Sequence, residues 1–293
     1  MKPLFVLLSA LMSQGSALAA DVLIKDDVGQ TTRWAAPPQR IVSLLPSLTE
    51  SVCELGACAR LIGVDRYSNH PASVNALPKL GGLDDTNVEM VVALKPDVVL
   101  VAPSSRVTER LQSLGLKVVT LEAKSYADVQ RVLGKVGELL AVPDAPRLWR
   151  QIESGVAAAA QAMPPAAKGT LVYYEVASGP YAAGETSFMG ETLAKLGARN
   201  IIPASLGPFP KINPEFVVRA NPQLIMMGQR DAGGIYQRPG WDKIAAIRDK
   251  KVCIFSREQS DMLGRPGPRI AEAAQIMARC LREMSEKVGE KKP

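Results

Sequence analysis

Two segments, one in each half of the chain, repeat the same pattern without a gap. They are "NVEMVVALKPDVVLVA" (87–102) and "NPEFVVRANPQLIMMG" (213–228). Each reads Asn, any residue, Glu, an apolar residue and Val-Val, and a later Pro precedes an apolar run. Self-similarity of this kind indicates two equivalent supersecondary units. We therefore predict two similar lobes, one in each half of the chain.

Strand and helix patterns alternate on both sides of this repeat. "RIVSLLP", "LIGVD", "PDVVLVAP" and "LKVVTL" are strand-like, and "TLVYYEV", "PQLIMMG" and "KVCIFS" continue the series later. "SLTE" (47–50) has the spacing of a capping box, which predicts that a helix begins there. Such alternation predicts an α/β fold in which βαβ units form parallel sheets.

The middle of the chain interrupts the alternation. Residues 125–163 show no strand pattern, and Asp144 with Pro146 suits the start of a helix that ends before Pro164 and Pro165. We predict an N-terminal lobe over 20–142, a linking helix over 143–165 and a C-terminal lobe over 166–293. A cleft between the lobes is then the expected ligand site.

The first residues have the features of an export signal. Lys2, a short apolar run and Ala17-Leu18-Ala19 predict a signal peptide over 1–19, with no cysteine after the cleavage site to carry a lipid. No later apolar run is long enough to cross a membrane, so we expect a soluble exported protein. The net charge is +6, but the basic residues are dispersed, which argues against nucleic-acid binding.

Four cysteines in an exported chain predict two disulfides: Cys53, Cys58, Cys253 and Cys280. In a continuous helix, cysteines five apart are too distant to bridge, but Gly56 can end the helix and let the chain fold back. Cys53 could then pair with Cys58, and Cys253 with Cys280. Three pairings are possible, and the sequence does not choose among them.

Several motifs together resemble the substrate-binding proteins of ABC importers for cobalamin, haem and iron–siderophores. They are "RIVSLLPSLTE", "GVDRYSNHP", "VALKPDVVL", "LGARNI", "NPEFVVRANPQLI" and "GRPGPRI". The resemblance covers nearly the whole mature chain and is strongest with the cobalamin-binding members. It implies a class III periplasmic binding protein, with two α/β lobes bridged by a single long helix.

The function implied by this resemblance is capture of a corrinoid in the periplasm and its delivery to an inner-membrane ABC permease with its ATPase. Haem or an iron–siderophore is the alternative ligand. We expect a monomer when free, with no resident cofactor and no enzymatic activity, since the chain has no GxSxG, P-loop or HExxH motif.

The resemblance also assigns candidate ligand-binding residues. Tyr67 matches a cleft tyrosine that packs on the corrin ligand in the family, Tyr181 and Phe209 match positions that are aromatic there, and Asp261 matches an acidic residue just before the "RPGPR" turn. Aromatic side chains suit a broad, rigid, partly apolar ligand such as a corrin. Leu83 and Met262 stand where the cobalamin-binding members have large aromatic residues, so part of the aromatic cage is absent here.

The glutamates of the repeat, Glu89 and Glu215, are candidates for permease docking. As local structure, each follows an Asn that can cap a helix, where an acid in the first turn favours the helix dipole. The resemblance adds that each glutamate pairs with arginines on one half of a dimeric permease, through charge-assisted hydrogen bonds. The two interpretations are compatible.

His70, the only histidine in the chain, lies in "RYSNHPAS" (66–73) after a predicted strand. Ligands of parallel α/β sheets gather at the carboxyl ends of strands, so we expect His70 near the mouth of the cleft. A corrinoid requires no protein ligand from it, whereas with haem either His70 or Tyr67 would be the axial ligand. With a siderophore, four arginines could meet an anionic chelate: Arg66, Arg230, Arg265 and Arg269.

Overall fold

A computed structural model describes residues 21–286 of the chain. The predicted signal peptide, 1–19, lies outside the described residues. Within the described range, none of the helices is long and apolar enough to cross a membrane.

The first half of the described chain forms what we call the N-lobe. Its strands are β1 (Val22–Lys25), β2 (Thr31–Trp34), β3 (Ile41–Ser43), β4 (Leu61–Val64), β5 (Val98–Val101) and β6 (Val118–Thr120). Its helices are α1 (Pro46–Val52), α2 (Val88–Ala93) and α3 (Thr108–Ser113). Four strands form a parallel sheet in the order β4-β3-β5-β6, and β1 and β2 form an antiparallel hairpin. Every residue of β5 is buried, as expected for a central parallel strand covered on both faces.

Two helices follow, α4 (Tyr126–Leu140) and α5 (Ala145–Gln161), and then the C-lobe. Its strands are β7 (Leu171–Ala177), β8 (Tyr181–Ala182), β9 (Arg199–Asn200), β10 (Leu224–Gly228) and β11 (Val252–Phe255). Its helices are α6 (Phe188–Lys195), α7 (Pro214–Ala220), α8 (Ala245–Arg248), α9 (Arg257–Leu263) and α10 (Ile270–Glu286). The sheet runs β11-β10-β7-β8, with β9 also on β7, and only β8 is antiparallel to its neighbour.

The repeat folds as two equivalent units, as predicted. Residues 87–102 form α2 and β5, and residues 213–228 form α7 and β10. In each unit the Asn side chain caps the helix: Asn87 accepts from the Met90 N–H and Asn213 from the Glu215 N–H, each at 2.9 Å. Since the cap and the strand recur in the same order, each lobe presents a glutamate on a matching first turn.

The connection between the lobes contains two helices, because the chain turns at residues 141–144. One face of α4, with Tyr126, Val129 and Leu133, belongs to the core around β7 and β10. Its other face, with Val136 and Leu139, belongs to the N-lobe core around β3 and β5. The α4 helix therefore packs against both lobes, and the predicted boundaries at 143 and 165 stay a prediction.

Helix α5 packs along α10 rather than standing free between the lobes. At Gly155 a Cβ atom would lie 2.7 Å from the Ala271 Cβ, so the glycine permits the close approach of the two helices. Asp144 is the N-cap residue of α5, but its side chain makes no capping hydrogen bond and pairs with Arg147 instead.

The predicted capping box at "SLTE" is wrong. Helix α1 begins at Pro46 after Leu45, and Ser47 is inside the helix, where its carbonyl accepts from the Ser51 hydroxyl at 2.7 Å. Proline at the first helical position specifies the start without a side-chain cap, because its fixed φ suits a helix. Glu50 is thereby free for a different role, described below.

Both disulfides form, in the pairing that a local bridge allows. Cys53 is joined to Cys58, and Cys253 to Cys280. Gly56 has a φ of 80°, in the left-handed region, and there the chain leaves helical geometry after α1. This confirms that the glycine lets the chain fold back between the first two cysteines.

Candidate ligand-binding site

An open cavity of about 590 Å³ lies at the carboxyl ends of β7 and β10. Its lining comes from the C-lobe: Tyr174, Glu175, Val176, Phe188, Met189, Phe209, Gly228, Gln229, Arg230, Asp231, Arg257, Ser260, Asp261 and Gly264. The strand ends, the start of α6 and one side of α9 therefore meet at this point. Ligands of open α/β sheets bind at this edge of the sheet.

The lining of the cavity combines apolar and charged side chains. Phe188 and Phe209 form a tilted pair with ring centroids 6.1 Å apart, next to Met189. Arg230 and Arg257 belong to the same lining; both are exposed, and within residues 21–286 neither forms an ion pair. Such a lining suits a ligand with a broad apolar surface and a polar or anionic rim.

One residue of the lining, the buried Glu175, forms an ion pair with the half-buried Arg238. The Glu175 carboxylate accepts from both Arg238 Nη atoms, at 2.6 and 2.7 Å, and from the Tyr173 hydroxyl at 3.0 Å. The Arg238 guanidinium also stacks 4.5 Å from the centre of the Trp241 ring. The hydrogen bond to Glu175 raises the pKa of Arg238, and burial followed by the Glu175 charge raises the pKa of Tyr173. The pair attaches the segment after β10 to the end of β7.

The N-lobe contributes the Tyr67 loop, residues 66–70, which follows β4. Asp65, at the carboxyl end of that strand, is buried and accepts from the Tyr67 N–H at 2.8 Å and the Ser68 N–H at 3.1 Å. Its other carboxylate oxygen accepts from the Ser68 hydroxyl. Burial raises the pKa of Asp65, and these three hydrogen bonds oppose that rise. Lys79 then donates to the Ser68 carbonyl at 2.6 Å, so the loop is fixed at its beginning.

Arg265, from the turn between α9 and α10, crosses to this loop. It donates to Glu50 Oε1 at 2.7 Å, to Asn69 Oδ1 at 2.8 Å and to the Tyr67 carbonyl at 2.9 Å. Asp261, which lines the cavity, lies 3.2 Å from Arg265 and accepts from Asn69 Nδ2 at 3.1 Å. The Tyr67 loop therefore meets the rim of the cavity at Asp261.

Glu50 is the buried partner of this contact between the lobes. Burial raises the pKa of the Glu50 carboxyl, whereas Arg265, Arg269 and His70 act in the opposite direction. Glu50 Oε2 has no hydrogen-bond partner within the described part of the chain. The carboxylate thus depends on Arg265 for its strongest hydrogen bond.

The structure brings together part of the predicted ligand-binding set. Phe209 and Asp261 line the cavity. Tyr67 is 55% exposed, and Tyr181 and Leu83 are also exposed. His70 and Met262 are half-buried and lie outside the lining of the cavity. A role in ligand binding stays a prediction for all seven.

Three of the four arginines considered for an anionic chelate are already engaged. Arg265 and Arg269 are buried beside Glu50, and Arg66 pairs with Asp85. Arg230 alone of the four lines the cavity. The sequence could not separate these cases, because Glu50, which lies beside both Arg265 and Arg269, belongs to the other lobe.

Sequence reasoning missed the buried acids Glu50, Asp65 and Glu175, and also Arg238. The available signal was a charged residue inside or directly after an apolar run, as in "LVYYEVA" and "LIGVD". Such acids are almost never fully buried unless paired, so each indicates a partner that the sequence does not name.

The two predicted docking glutamates, Glu89 and Glu215, are exposed on the first turns of α2 and α7. The surfaces next to them differ: Met90 and Val92 are exposed on α2, whereas the equivalent Phe216 and Val218 on α7 are half-buried. A role in docking stays a prediction for both glutamates.

Comparison with known proteins places this architecture in a family. The family described as "Periplasmic binding protein" matches residues 41–257. An uncharacterised ABC transporter substrate-binding lipoprotein, YvrC, of Bacillus subtilis is 29% identical over 88% of this chain and 84% of its own. The vitamin B12-binding protein of Vibrio vulnificus is 26% identical over 80% of this chain and 87% of its own.

A solved structure agrees with the sequence relatives. The periplasmic heme-binding protein of Pseudomonas aeruginosa superposes with a TM-score of 0.68 at 27% identity, over 84% of this chain and 93% of its own. The class III fold of two α/β lobes is thereby shown for this chain.

Proposed function

The chain belongs to the periplasmic binding protein family, whose members bind small molecules for ABC importers and are not enzymes, and from that premise we propose that its ligand is a corrinoid. The protein would act in the periplasm after removal of residues 1–19, as a monomer, and deliver the ligand to an inner-membrane permease with its ATPase.

The observation that carries this proposal is the cavity at the strand ends, whose lining contains both aromatic and charged side chains. Phe188, Met189 and Phe209 offer an apolar wall, and Asp261 stands at the rim where the Tyr67 loop arrives. A volume of about 590 Å³ would take one edge of a corrin, while the rest of the macrocycle lies towards Tyr67. Large, exposed aromatic side chains such as Tyr67 gain most from covering such a face.

Haem is the second candidate, and the cavity arginines favour it. Arg230 and Arg257 line the cavity without ion-pair partners in the described residues, and guanidinium groups bind carboxylates strongly. Tyr174 is the sole tyrosine of the lining, and burial raises its pKa, which disfavours it as an iron ligand. An axial ligand would therefore come from Tyr67 or His70.

The test is a titration of the mature protein with cyanocobalamin and, separately, with hemin, followed by calorimetry and visible absorbance. We expect tight cyanocobalamin binding that Phe209→Ala weakens about tenfold or more, because a buried aromatic contact is lost. Tyr236→Ala is the matched control, since Tyr236 is an exposed aromatic of the C-lobe outside the cavity. Tight hemin binding, with a Soret shift lost in Tyr67→Ala or His70→Ala, would replace the corrinoid with haem.

Docking is tested separately with charge reversals. Glu89→Arg and Glu215→Arg should leave the dissociation constant unchanged and lower uptake by the importer about tenfold or more, because each would place like charges at the interface. Glu109→Arg on α3 is the control, since it reverses an exposed acid outside the repeat. Unchanged uptake in both reversals would reject the docking role.

A further inference from the structure

Asn69 shows how strongly the Tyr67 loop depends on the opposite lobe. Its amide oxygen accepts from Arg265 at 2.8 Å, and its amide nitrogen donates to Asp261 at 3.1 Å. Both polar atoms of this side chain are therefore bonded to the C-lobe. Arg265 also donates to the Tyr67 carbonyl, so two residues of the loop, Tyr67 and Asn69, accept hydrogen bonds from one guanidinium.

Arg265 is suited to hold this position. Its side chain is 8% exposed and is supported from the N-lobe by Glu50, whose side chain is 1% exposed. A guanidinium presents five donors in a rigid fork, so one group can bond a carboxylate, an amide oxygen and a carbonyl together. A lysine would offer a single flexible ammonium and could not keep the three bonds in this geometry.

Asp261 connects this contact to the ligand site, because it lines the cavity and bonds both Arg265 and Asn69. We propose that Arg265 is a positioning residue, which holds the Tyr67 loop against the cavity of the C-lobe and, through Asp261, couples the loop to the ligand. The coupling of the loop to the ligand rests on the proposed function. The positioning of the loop by Arg265 rests on geometry alone.

The test separates positioning from general stability. Arg265→Met alone would leave the Glu50 charge buried and could unfold the protein, so the main variant is Glu50→Gln/Arg265→Met. Glu50→Gln keeps the bonds from Arg265 to the loop and is the first control. Arg269→Met is the second, because Arg269 is equally buried and lies 3.7 Å from Glu50 but makes no hydrogen bond to the loop.

The first measurement is hydrogen–deuterium exchange over residues 66–73 in ligand-free protein, which depends on no assumption about the ligand. We expect exchange about tenfold faster or more in Glu50→Gln/Arg265→Met, and wild-type exchange in both controls. Arg265→Lys in the Glu50→Gln background should not restore protection. Wild-type exchange in the double variant, or equal acceleration in Arg269→Met, would overturn the proposal.

The second measurement is the affinity for cyanocobalamin, expected to fall about tenfold or more in the double variant and to stay unchanged in Glu50→Gln and Arg269→Met. Wild-type affinity in the double variant would overturn the coupling. If the wild-type protein fails to bind cyanocobalamin, that result counts against the proposed ligand, and the exchange measurement still decides the role of Arg265.

Discussion

The two walls of the site are stabilised in opposite ways. In the C-lobe, Glu175 and Arg238 form a buried pair within one lobe, which attaches the segment after β10 to the end of β7. In the N-lobe, Asp65 accepts hydrogen bonds from neutral donors at the start of the Tyr67 loop. The rest of the loop is bonded to Arg265 of the other lobe. The C-lobe wall is therefore complete by itself, whereas the N-lobe wall requires its neighbour.

The two walls therefore differ in how far they depend on the apposition of the lobes. A cavity whose lining comes from one lobe keeps that lining at any separation of the lobes. A loop held by the opposite lobe is in place only when the two lobes are correctly apposed. The Tyr67 loop is thus the part of the candidate site that depends on the relation between the lobes, and helix α4 packs on the cores of both.

The largest expected effect comes from breaking the pair in the C-lobe. Arg238→Met leaves the Glu175 carboxylate buried without its cation, which should cost about 3–5 kcal/mol in the free energy of unfolding. Asp65→Asn in the N-lobe should cost about 1–2 kcal/mol, because an amide oxygen can keep some of the bonds to Tyr67 and Ser68. Urea denaturation of both variants checks the order.

The control for this prediction is Glu175→Gln/Arg238→Met, which removes both charges. It should recover most of the stability lost in Arg238→Met, since the cost arises from the unpaired charge. Equal losses in the single and double variants would mean that packing of Arg238 on Trp241 dominates instead.

How much of the fold and of the candidate site the sequence could predict depends on how far apart in the chain the interacting residues lie. Asn87 and Asn213 cap helices within three residues of themselves, so the repeat specified α2, β5, α7 and β10 correctly. Gly56 acted equally locally, and it made the pairing of Cys53 with Cys58 possible. Interactions between residues a few positions apart can therefore be predicted from the sequence pattern.

The stabilising contacts of the site have no such local pattern. Arg265 and Glu50 are 215 residues apart, and Arg238 and Glu175 are 63 apart. Phe209 and Asp261 were identified through family resemblance, yet their convergence on one cavity depends on how the strands of the C-lobe are ordered. The capping box at Ser47 failed because the helix starts two residues earlier, with Leu45 at the N-cap position and Pro46 as its first residue.

Disulfide removal gives a second comparison between the lobes, of intermediate size. The bridge of Cys253 with Cys280 closes a separation of 27 residues, and that of Cys53 with Cys58 closes a separation of 5. On the chain-entropy argument, replacing both cysteines by serine should cost about 3.5 kcal/mol in the C-lobe and about 2 kcal/mol in the N-lobe. Thermal unfolding of the two double variants measures the difference.

Ligand affinity of the two disulfide variants gives a further comparison between the lobes. The N-lobe bridge lies close to the Tyr67 loop, because the Ser73 hydroxyl is 3.7 Å from Cys58 Sγ. If the bridge supports the loop, removing it should lower the affinity for the ligand more than removing the C-lobe bridge does, although the C-lobe variant loses more stability. The opposite ranking, with weaker binding only in the C-lobe variant, would contradict the view that the N-lobe wall is the dependent one.

The smallest expected effect lies at the start of α4, the helix that packs on the cores of both lobes. Ser125 and Asp128 form a capping box there, and the Tyr126 N–H donates to Glu191 of the C-lobe. Burial alone would raise the pKa of Asp128, but hydrogen bonds from the Ser125 hydroxyl, the Lys124 N–H and Arg131 hold it at about 2, below the usual 3.8. Because the folded state binds this proton more weakly than the unfolded state, Asp128 stabilises the fold above pH 3.8, and this contribution is lost as the pH falls towards 2.

Asp128→Asn should therefore lower the free energy of unfolding by about 1 kcal/mol at about pH 7, a figure reduced for the partial exposure of the side chain. The difference from wild type should shrink as the pH falls from about 4 to about 3, while the other titrating groups contribute equally to both proteins. Glu153→Gln, which also neutralises one acid, on the exposed face of α5, is the matched control for the loss of a charge. A difference that stays constant with pH would mean that Asp128 acts through hydrogen-bond geometry and not through its charge, and α4 would then be fixed between the lobes by packing alone.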